Sequence, residues 1–593
     1  MRIAVLVKQV PRAESLELKP DGRLERDGVE LEMNAYCRRA VSKGVQLARE
    51  TAGTCTVVTL GPQSAEDALR EAIAWGADSG VLISDEAFSG SDTLATAVAL
   101  AAAVRLLGPF DLVLVGRNSI DADTGQVPPE LAELLDLPFA AGARDIETDG
   151  TRLVVRCELD DGWRRVRLGL PAVVSTAERL CEPAKVAPEG RRAVAARKIR
   201  HLGPDALGGG PFGAAGSPTT VGRVRVMEAD RKAIVLDGPI GQQARRAVSM
   251  LRDWGAVSPE QPGGVEPAGS DQAWAVPPGG RRGGPVIAVA VEPGRPRLAR
   301  ELLGEAAHIA QAIGGSVSAI GPGEWPSDNL ESWGADRAIV LADALVEEDV
   351  ADALSTWTSS VVPWAVLAPG TLWGREVSGR VAARLGAGLT GDAVGLGVEG
   401  GRLVAWKPAF GGRLVAAITA SSEIQMATVR PGVLDLRVPR RPSGELRIDV
   451  QQSSPRRRVT VVDEGRDDDV EILLAAAAVV GVGAGVAPEE YEALQPLLKL
   501  LGAELGASRK VTDKGWLPRA RQIGLTGRSV APALFVSIGA QGKFNHMIGT
   551  RSAGTVLAIN TDPGAPVFDW SDIGIVADWR EAVSALVAEL EKP

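Results

Sequence analysis

Trp75-Gly-Ala-Asp78 recurs as Trp333-Gly-Ala-Asp336, and its neighbourhood recurs with it. An apolar strand follows each copy, Gly80-Val-Leu-Ile in one and Ala338-Ile-Val-Leu in the other, and then an acidic loop. The next apolar strand is Asp111-Leu-Val-Leu-Val-Gly116 in the first copy and Trp364-Ala-Val-Leu-Ala-Pro-Gly370 in the second. Helical patterns come after them, Pro129-Glu-Leu-Ala-Glu-Leu-Leu135 and Ser378-Gly-Arg-Val-Ala-Ala-Arg-Leu385. Paired strand signals close each copy, residues 151–156 with 164–168 and 401–405 with 413–418. One tetrapeptide could recur by chance. Six elements in one order, offset by about 250 to 258 residues, make an internal repeat. Strand and helix patterns alternate in both copies, which predicts a largely parallel sheet covered by helices in each.

Around the repeat, residues 258–284 are rich in Pro, Gly and Gln without periodicity and read as a linker. A second polar break, 440–469, precedes a third unit expected to open on a strand over 470–480 and to end in a helix over 580–592. A chain of 593 residues has room for roughly three or four domains. The net charge of −10 argues against a general nucleic-acid binder, since little here would neutralise a phosphate backbone. The opening run, Met1 to Lys8, is strand-like and lacks the pattern of a secretory signal. The longest apolar run, 472–487, is shorter than a bilayer span and broken by Gly481, Gly483 and Gly485. The expectation is a cytoplasmic protein without membrane insertion. Four scattered cysteines without C-x-x-C and only three histidines argue against zinc, iron–sulfur and disulfide frameworks.

Two regions could carry chemistry. In the first copy, the loop Gly116-Arg-Asn-Ser-Ile-Asp-Ala-Asp-Thr-Gly-Gln-Val-Pro-Pro129 leaves a strand and enters a helix that Thr124 could cap. Free N–H groups there would favour a phosphate, and a capped loop with solvated aspartates explains the residues equally well. In the third unit, Gly481-Val-Gly-Ala-Gly485 is not G-x-G-x-x-G and reads as a tight turn. The stronger segment runs from Gly506-Ala-Ser-Arg509 through 521–532 to Leu534-Phe-Val-Ser-Ile-Gly-Ala-Gln-Gly-Lys-Phe-Asn-His546. Small residues, one Arg and one His converge on a strand end and a helix start. That suits an anionic ligand with a flat polar ring.

At these residues the chain resembles the electron-transfer flavoprotein family, whose beta and alpha subunits are normally separate chains. Residues 1–257 resemble beta through Val7-Lys-Gln-Val10, Met33-Asn-Ala-Tyr-Cys37, 116–126 and Pro171-Ala-Val-Val174. Residues 286–593 resemble alpha through Gly374-Arg-Glu, Leu385-Gly-Ala-Gly-Leu-Thr390, Met426-Ala-Thr-Val-Arg-Pro-Gly432, Gly515-Trp-Leu-Pro518, Asn545-His546, Asn560-Thr-Asp-Pro563 and Gly574-Ile-Val-Ala-Asp578. The resemblance implies an α/β protein with two related parallel-sheet, adenine-nucleotide-binding-like units and a C-terminal doubly wound FAD-binding domain. It implies a beta-like domain at 1–257, a linker at 258–285, an alpha-like N-terminal domain at 286–455 and the FAD domain at 456–593: a fused pseudo-heterodimer.

The resemblance also implies site residues. FAD should meet Ser508 and Arg509, with the guanidinium over the isoalloxazine. Ile523, Gly524, Leu525 and Thr526 should line its polar edge. Gln541, Gly542, Lys543, Phe544, Asn545 and His546 should wrap the ring and ribityl chain, His546 near the C2 carbonyl. Asn560, Asp578 and Trp579 should meet the adenosine end. A nearby His and Arg would stabilise the anionic semiquinone of a single-electron carrier. Leu525, Gln541, Asn545 and Thr561 depart from the family's usual residues, as does Ala484 in the glycine turn. In the beta-like unit, Asn34, Ala35, Tyr36 and Cys37 with Gly116, Asp121, Asp123, Thr124, Gly125, Gln126 and Val127 would hold AMP, or a second FAD as in the bifurcating branch. Pro128, where Gly is usual, leans the reading to AMP or an empty site.

Three functions follow. The first is a carrier taking electrons from a flavin-dependent dehydrogenase, in fatty acid or amino acid oxidation, to a membrane quinone reductase or similar acceptor. The second is a bifurcating, NADH-oxidising protein with two FAD. The third is a non-redox adenine-nucleotide-binding protein. A basic segment after Glu182-Pro183, up to Arg200, stands where the family docks its dehydrogenase and lacks the usual anchoring Leu before Pro188.

Overall fold

The computed structural model describes residues 1–11, 30–119, 121–226, 231–257, 275–280, 283–323, 327–409, 414–442, 446–466, 470–524 and 527–592. The repeat is two sheets of one topology. In the first unit, six strands run parallel in the order Ser79–Ile83, Thr54–Leu60, Arg2–Val7, Leu112–Gly116, Ala172–Thr176, Phe139–Thr148. In the second, the parallel order is Arg337–Ala342, Ser316–Pro322, Val286–Ala290, Ala365–Pro369, Gln425–Val429, Gly388–Ala393. These strands are buried almost end to end, as near-continuous Val, Ile, Leu and Ala runs covered on both faces must be.

The repeated tetrapeptide has a structural reason. Trp75 and Trp333 end helices, and Gly76 (φ 137°) and Gly334 (φ 128°) turn the chain out of them. A Cβ at Gly334 would lie 2.6 Å from the Leu303 carbonyl oxygen, so only glycine fits. The following aspartates lock the next strand. Asp78 accepts from the Cys55 N–H at 2.8 Å, and Asp336 accepts from the Val317 N–H at 2.9 Å.

Two strands cross between the units. Thr219–Val226 leaves the first unit and pairs antiparallel with Leu414–Ala420 of the second, in a four-stranded sheet with Arg402–Ala409 and Leu396–Glu399. Reciprocally, Val459–Arg466 pairs antiparallel with Gly162–Gly169 of the first unit, at the edge of its ten-stranded sheet. The sequence reading assigns 459–466 to the third unit; it is instead the second unit's loan to the first.

The third sheet is parallel, in the order Ala503–Ala507, Ala478–Val482, Leu534–Ile538, Thr555–Asn560, Ile573–Val576. Its connections reverse direction between Ala478–Val482 and Leu534–Ile538, which makes a doubly wound unit with a switch point there. A further strand, Ile234–Leu236, adds parallel to Ile573–Val576. The helix Ile240–Asp253 follows it. Its Ala244, Ala247, Val248 and Leu251 share a core with Leu557, Ile575 and Leu586. Residues 231–257 therefore pack in the third unit, not in the first where the sequence reading puts them. The run expected as a strand over 470–480 divides into the helix Val470–Ala475 and the strand Ala478–Val482. An Ala-rich apolar stretch satisfies either period, and burial of Leu473 and Leu474 against Ile523 and Phe535 selects the helix. Among the described residues, no helix is long and apolar enough to cross a membrane.

Candidate functional site

The first unit's crevice lies at its own switch point, where Arg2–Val7 and Leu112–Gly116 are neighbours. A Cβ on Gly116 would sit 3.0 Å from the Cys37 nitrogen and Sγ, so the loop packs directly on the start of the helix Ala35–Glu50. Buried Asn34 stitches the two together by donating Nδ2–H to the Asn118 carbonyl at 2.7 Å. Asp121 pairs with Lys8 Nζ at 2.7 Å. Asp123 and Gly125 both turn with positive φ (47° and 64°), and burial pushes the Asp123 carboxyl up. Thr124 does not cap the helix Val127–Leu135: Gln126 stands at the N-cap, with no side-chain cap bond.

Gln126 is fully buried, and its Nε2 has no hydrogen-bond partner among the described residues. The Thr93 hydroxyl lies 3.1 Å from Gln126 Oε1 and 3.0 Å from Glu130 Oε1. One hydroxyl proton cannot serve both. Burial pushes the Glu130 carboxyl up to about 8, and a neutral Glu130 donating to the hydroxyl resolves the conflict.

The second unit supplies the opposite wall. Burial alone would raise Asp392, yet Arg430 and Arg375 hold it well below the usual carboxylate range. Lys407 donates to the Gly391 carbonyl at 2.9 Å, and burial pushes its ammonium down to about 8. The cavity left among Tyr36, Asn118, Asp123, Arg375, Arg430 and Arg528 measures about 80 Å³.

The third unit's crevice is built from backbone. The Gly483 N–H donates to the Ile538 carbonyl at 2.8 Å, and any Cβ on Gly483 would overlap Gly539 and Ala540. Gly542 (φ 73°) lies equally close to the Val567 backbone. Gln541 and Lys543 flank it, exposed. Ser508 ends the adjacent strand, its N–H donating to the Val482 carbonyl at 2.9 Å, and opens the short helix Arg509–Asp513. The Ile523 N–H returns to the Ala507 carbonyl at 2.8 Å, and Gly524 donates to Arg528 at 3.0 Å. Leu525 and Thr526 lie outside the described residues. Phe544 and Asn545 open the helix Phe544–Met547, and their side chains lie outside the description.

His546 is the polar centre of this crevice. Nδ1 is 3.0 Å from the Ile523 carbonyl oxygen, which can only accept, so Nδ1 carries the proton. Nε2 is buried without a partner among the described residues, and burial pushes the imidazole pKa down. The ring is then neutral, with an open Nε2. Asn560 braces the glycine loop, donating Nδ2–H to the Ala540 carbonyl at 2.8 Å. Asp578 caps the final helix through the Arg580 N–H at 2.9 Å, and Trp579 is buried with an unpartnered Nε1.

Ser508, Ile523, Gly524 and His546 come together at the carboxyl edge, with Asn560 supporting them. Arg509 takes a different partner. Its guanidinium is ion-paired with Glu178 of the first unit and with Asp513 at 3.2 Å. Arg519 joins Glu158 at 3.0 Å, Arg528 pairs with Asp160, and Arg179 donates to the Thr512 carbonyl at 2.8 Å. These first-unit residues carried no sequence signal: Glu178 and Arg509 are 331 positions apart.

A doubly wound C-terminal unit, with a glycine-walled crevice at its switch point and an open imidazole nitrogen, defines a nucleotide- or flavin-holding α/β protein. The electron transfer flavoprotein domain matches residues 21–201 and again 289–463, and the electron transfer flavoprotein FAD-binding domain matches 472–551. The chain belongs to the electron transfer flavoprotein family. The electron transfer flavoprotein subunit alpha of Thermoanaerobacterium thermosaccharolyticum is 35% identical over 308 residues, 50% of this chain and 93% of that one. The subunit beta of the same organism is 34% identical over 255 residues, 42% of this chain and 98% of that one. Protein FixB of Bradyrhizobium diazoefficiens is 34% identical over 310 residues, 49% of this chain and 83% of that one. One polypeptide thus combines a beta-like and an alpha-like subunit, with an FAD-binding domain at its C-terminal end.

Proposed function

We propose that the chain is a single-flavin electron carrier, with FAD at the third unit's switch point and AMP or no ligand in the first unit's crevice. The observation that carries this reading is His546, with an open, buried Nε2 beside the glycine loop 539–542. The residues fit the group. Gly483, Gly539 and Gly542 let backbone approach backbone, and Ser508, Ile523 and Gly524 face the same edge. Asn560, Asp578 and Trp579 are the residues that would meet the adenosine end. The flavin, when bound, supplies the electron-carrying chemistry.

The chain's own groups set the conditions. Nδ1–H of His546 is committed to the Ile523 carbonyl, so Nε2 is where a proton arrives when negative charge develops beside it. Burial opposes that proton, and a neighbouring anion favours it. Arg509 supplies a fixed positive charge, shared with Glu178. Pro128, standing where the family usually has Gly, favours AMP or no ligand over a second FAD in the first crevice. Bifurcation is accordingly the second reading, and a non-redox nucleotide binder the third.

Electrons would come from a flavin-dependent dehydrogenase, in fatty acid or amino acid oxidation, and leave to a membrane quinone reductase or similar acceptor, with the carrier in the cytoplasm. The exposed basic residues Arg192, Arg197, Lys198 and Arg200 offer the donor a docking face. Mixing the purified holoprotein anaerobically with NADH tests the choice: an unchanged visible spectrum supports the carrier, and rapid bleaching supports the bifurcating reading. His546→Gln should lower the flavin midpoint potential and flatten its dependence on pH, with FAD still bound. A potential that tracks wild type at every pH removes the role given to Nε2.

A further inference from the structure

The helix that carries His546 ends in a turn whose carbonyls meet a residue from far away in the chain. Phe544–Met547 and Ile548–Thr550 are short helical turns, and the chain reverses after them into the strand Thr555–Asn560. Carbonyls at the end of a helical run have no partner within it and need donors from elsewhere. Here one guanidinium supplies them. Arg231 begins the strap 231–257 that packs in the third unit. Its Nη2 reaches the carbonyls of Ala553 (2.8 Å), Arg551 (2.9 Å) and Thr550 (3.4 Å), and its Nη1 that of Gly554 (3.3 Å). Nη1 also pairs with Asp572 at 2.9 Å, and Asp572 Oδ2 accepts the Val556 N–H at 2.8 Å. The Arg231 side chain is only 10% exposed, 319 positions from Thr550. A planar fork of donors suits such a set of acceptors better than the single nitrogen of a lysine.

The clasped turn bears on the groups that hold His546. Gly549 lies hard against the facing loop: a Cβ there would fall 2.4 Å from the Gly524 nitrogen and 2.7 Å from the Arg528 carbonyl oxygen. The Gly549 carbonyl accepts the Val530 N–H at 2.7 Å. Gly524 follows Ile523, whose carbonyl takes the Nδ1 proton of His546. A shift of the turn therefore moves both ends of that hydrogen bond, His546 through its helix and Ile523 through Gly524. With Nδ1 committed, the proton of the neutral ring stays off Nε2. Without the Ile523 acceptor, the two tautomers compete.

We infer that Arg231 is a positioning residue for His546: by closing the turn 550–554 it holds the Ile523 carbonyl on Nδ1 and fixes the tautomer that leaves Nε2 open. The link from this tautomer to the flavin rests on the reading of the third crevice as the FAD site; the tautomer itself does not.

Nitrogen NMR of the full-length holoprotein, isotope-labelled at histidine, tests this. The chain has three histidines, and His546→Gln identifies the signal. Wild type should show the Nδ1–H form alone. Arg231→Met should give a mixture of tautomers, and Arg231→Lys a smaller change. Arg252 lies on the same strap and donates to the Lys592 carbonyl; Arg252→Met should keep the wild-type signal. In a reductive titration, Arg231→Met should lower the flavin potential in the direction of His546→Gln, and Arg252→Met should not. A wild-type tautomer in Arg231→Met, or the same change in Arg252→Met, would overturn the inference. Altered tautomers with an unchanged potential would support the positioning role and count against the flavin reading.

Hydrogen exchange in the unaltered chain needs no variant to fold. The strap N–H groups of Ala233 and Ile234 donate to the carbonyls of Ser571 and Asp572. If the turn depends on the strap, the Val530 N–H should exchange no more slowly than these two. A Val530 N–H roughly tenfold slower would show the turn surviving release of the strap, and the inference would fall.

Discussion

The two repeat units share strand order, tetrapeptide and exchanged strand, yet their carboxyl edges differ in almost every charged residue. At the first edge, a loop of ten residues between the strand Leu112–Gly116 and the helix Val127–Leu135 meets Arg375, Lys407 and Arg430. At the second, the turn is short, Asp160 occupies the helix start, and carboxyl groups dominate. Topology is fixed by what is buried in the strands and by the Gly-Asp lock. Edge chemistry depends on side chains that the sheet does not need. A repeat therefore predicts fold in both halves and ligand in neither.

The largest expected effect lies where the halves meet. Arg380 is fully buried and reaches Glu133 of the first unit (3.2 Å), Glu376 (3.2 Å) and Glu348 (3.6 Å). Arg380→Met takes the guanidinium from Glu376 and one of the partners from Glu133 and Glu348, which keep Arg384 and Arg458, and should cost about 3 kcal/mol. The urea midpoint of the first transition should fall accordingly; an unchanged midpoint would mean that the halves do not depend on this contact.

The two locks can be set against each other. Asp336 also binds Arg440 and the Gly280 N–H, whereas Asp78 is bound to the Cys55 N–H. Asp336→Asn should lower the melting temperature more than Asp78→Asn, which should cost about 1–2 kcal/mol. Equal losses would show that the added partners of Asp336 contribute little.

A smaller, pH-dependent effect is specific to the first unit. Glu130 is buried and its carboxyl is raised to about 8, so between its unfolded value and pH 8 the folded chain holds the extra proton. That contribution to stability is present at low pH and lost as pH rises through 8. Glu130→Gln keeps a donor for the Thr93 hydroxyl and should reduce the fall in melting temperature between pH 6 and pH 9. An undiminished fall would place the titration elsewhere.

Much of this was legible in the sequence. The repeat appeared from aligned apolar runs, and the third site from Ser508, Gly542 and His546 around strand ends. The exchanged strands 219–226 and 459–466 were not, because an apolar alternation does not state which sheet it will join. Residues 231–257 were hidden for the same reason: their amphipathic helix could cover either neighbour. The capping role expected for Thr124 failed because Gln126 holds that place. The pairing of Arg509 with Glu178 was not legible, because that approach depends on how whole units pack.

The account rests on one flavin in the third unit and none in the first. Release of bound nucleotides from the purified chain by acid, followed by chromatographic quantification, measures this directly. It should yield one FAD per chain and at most one AMP. Two FAD per chain, or a colourless protein that cannot be reconstituted with FAD, would contradict it.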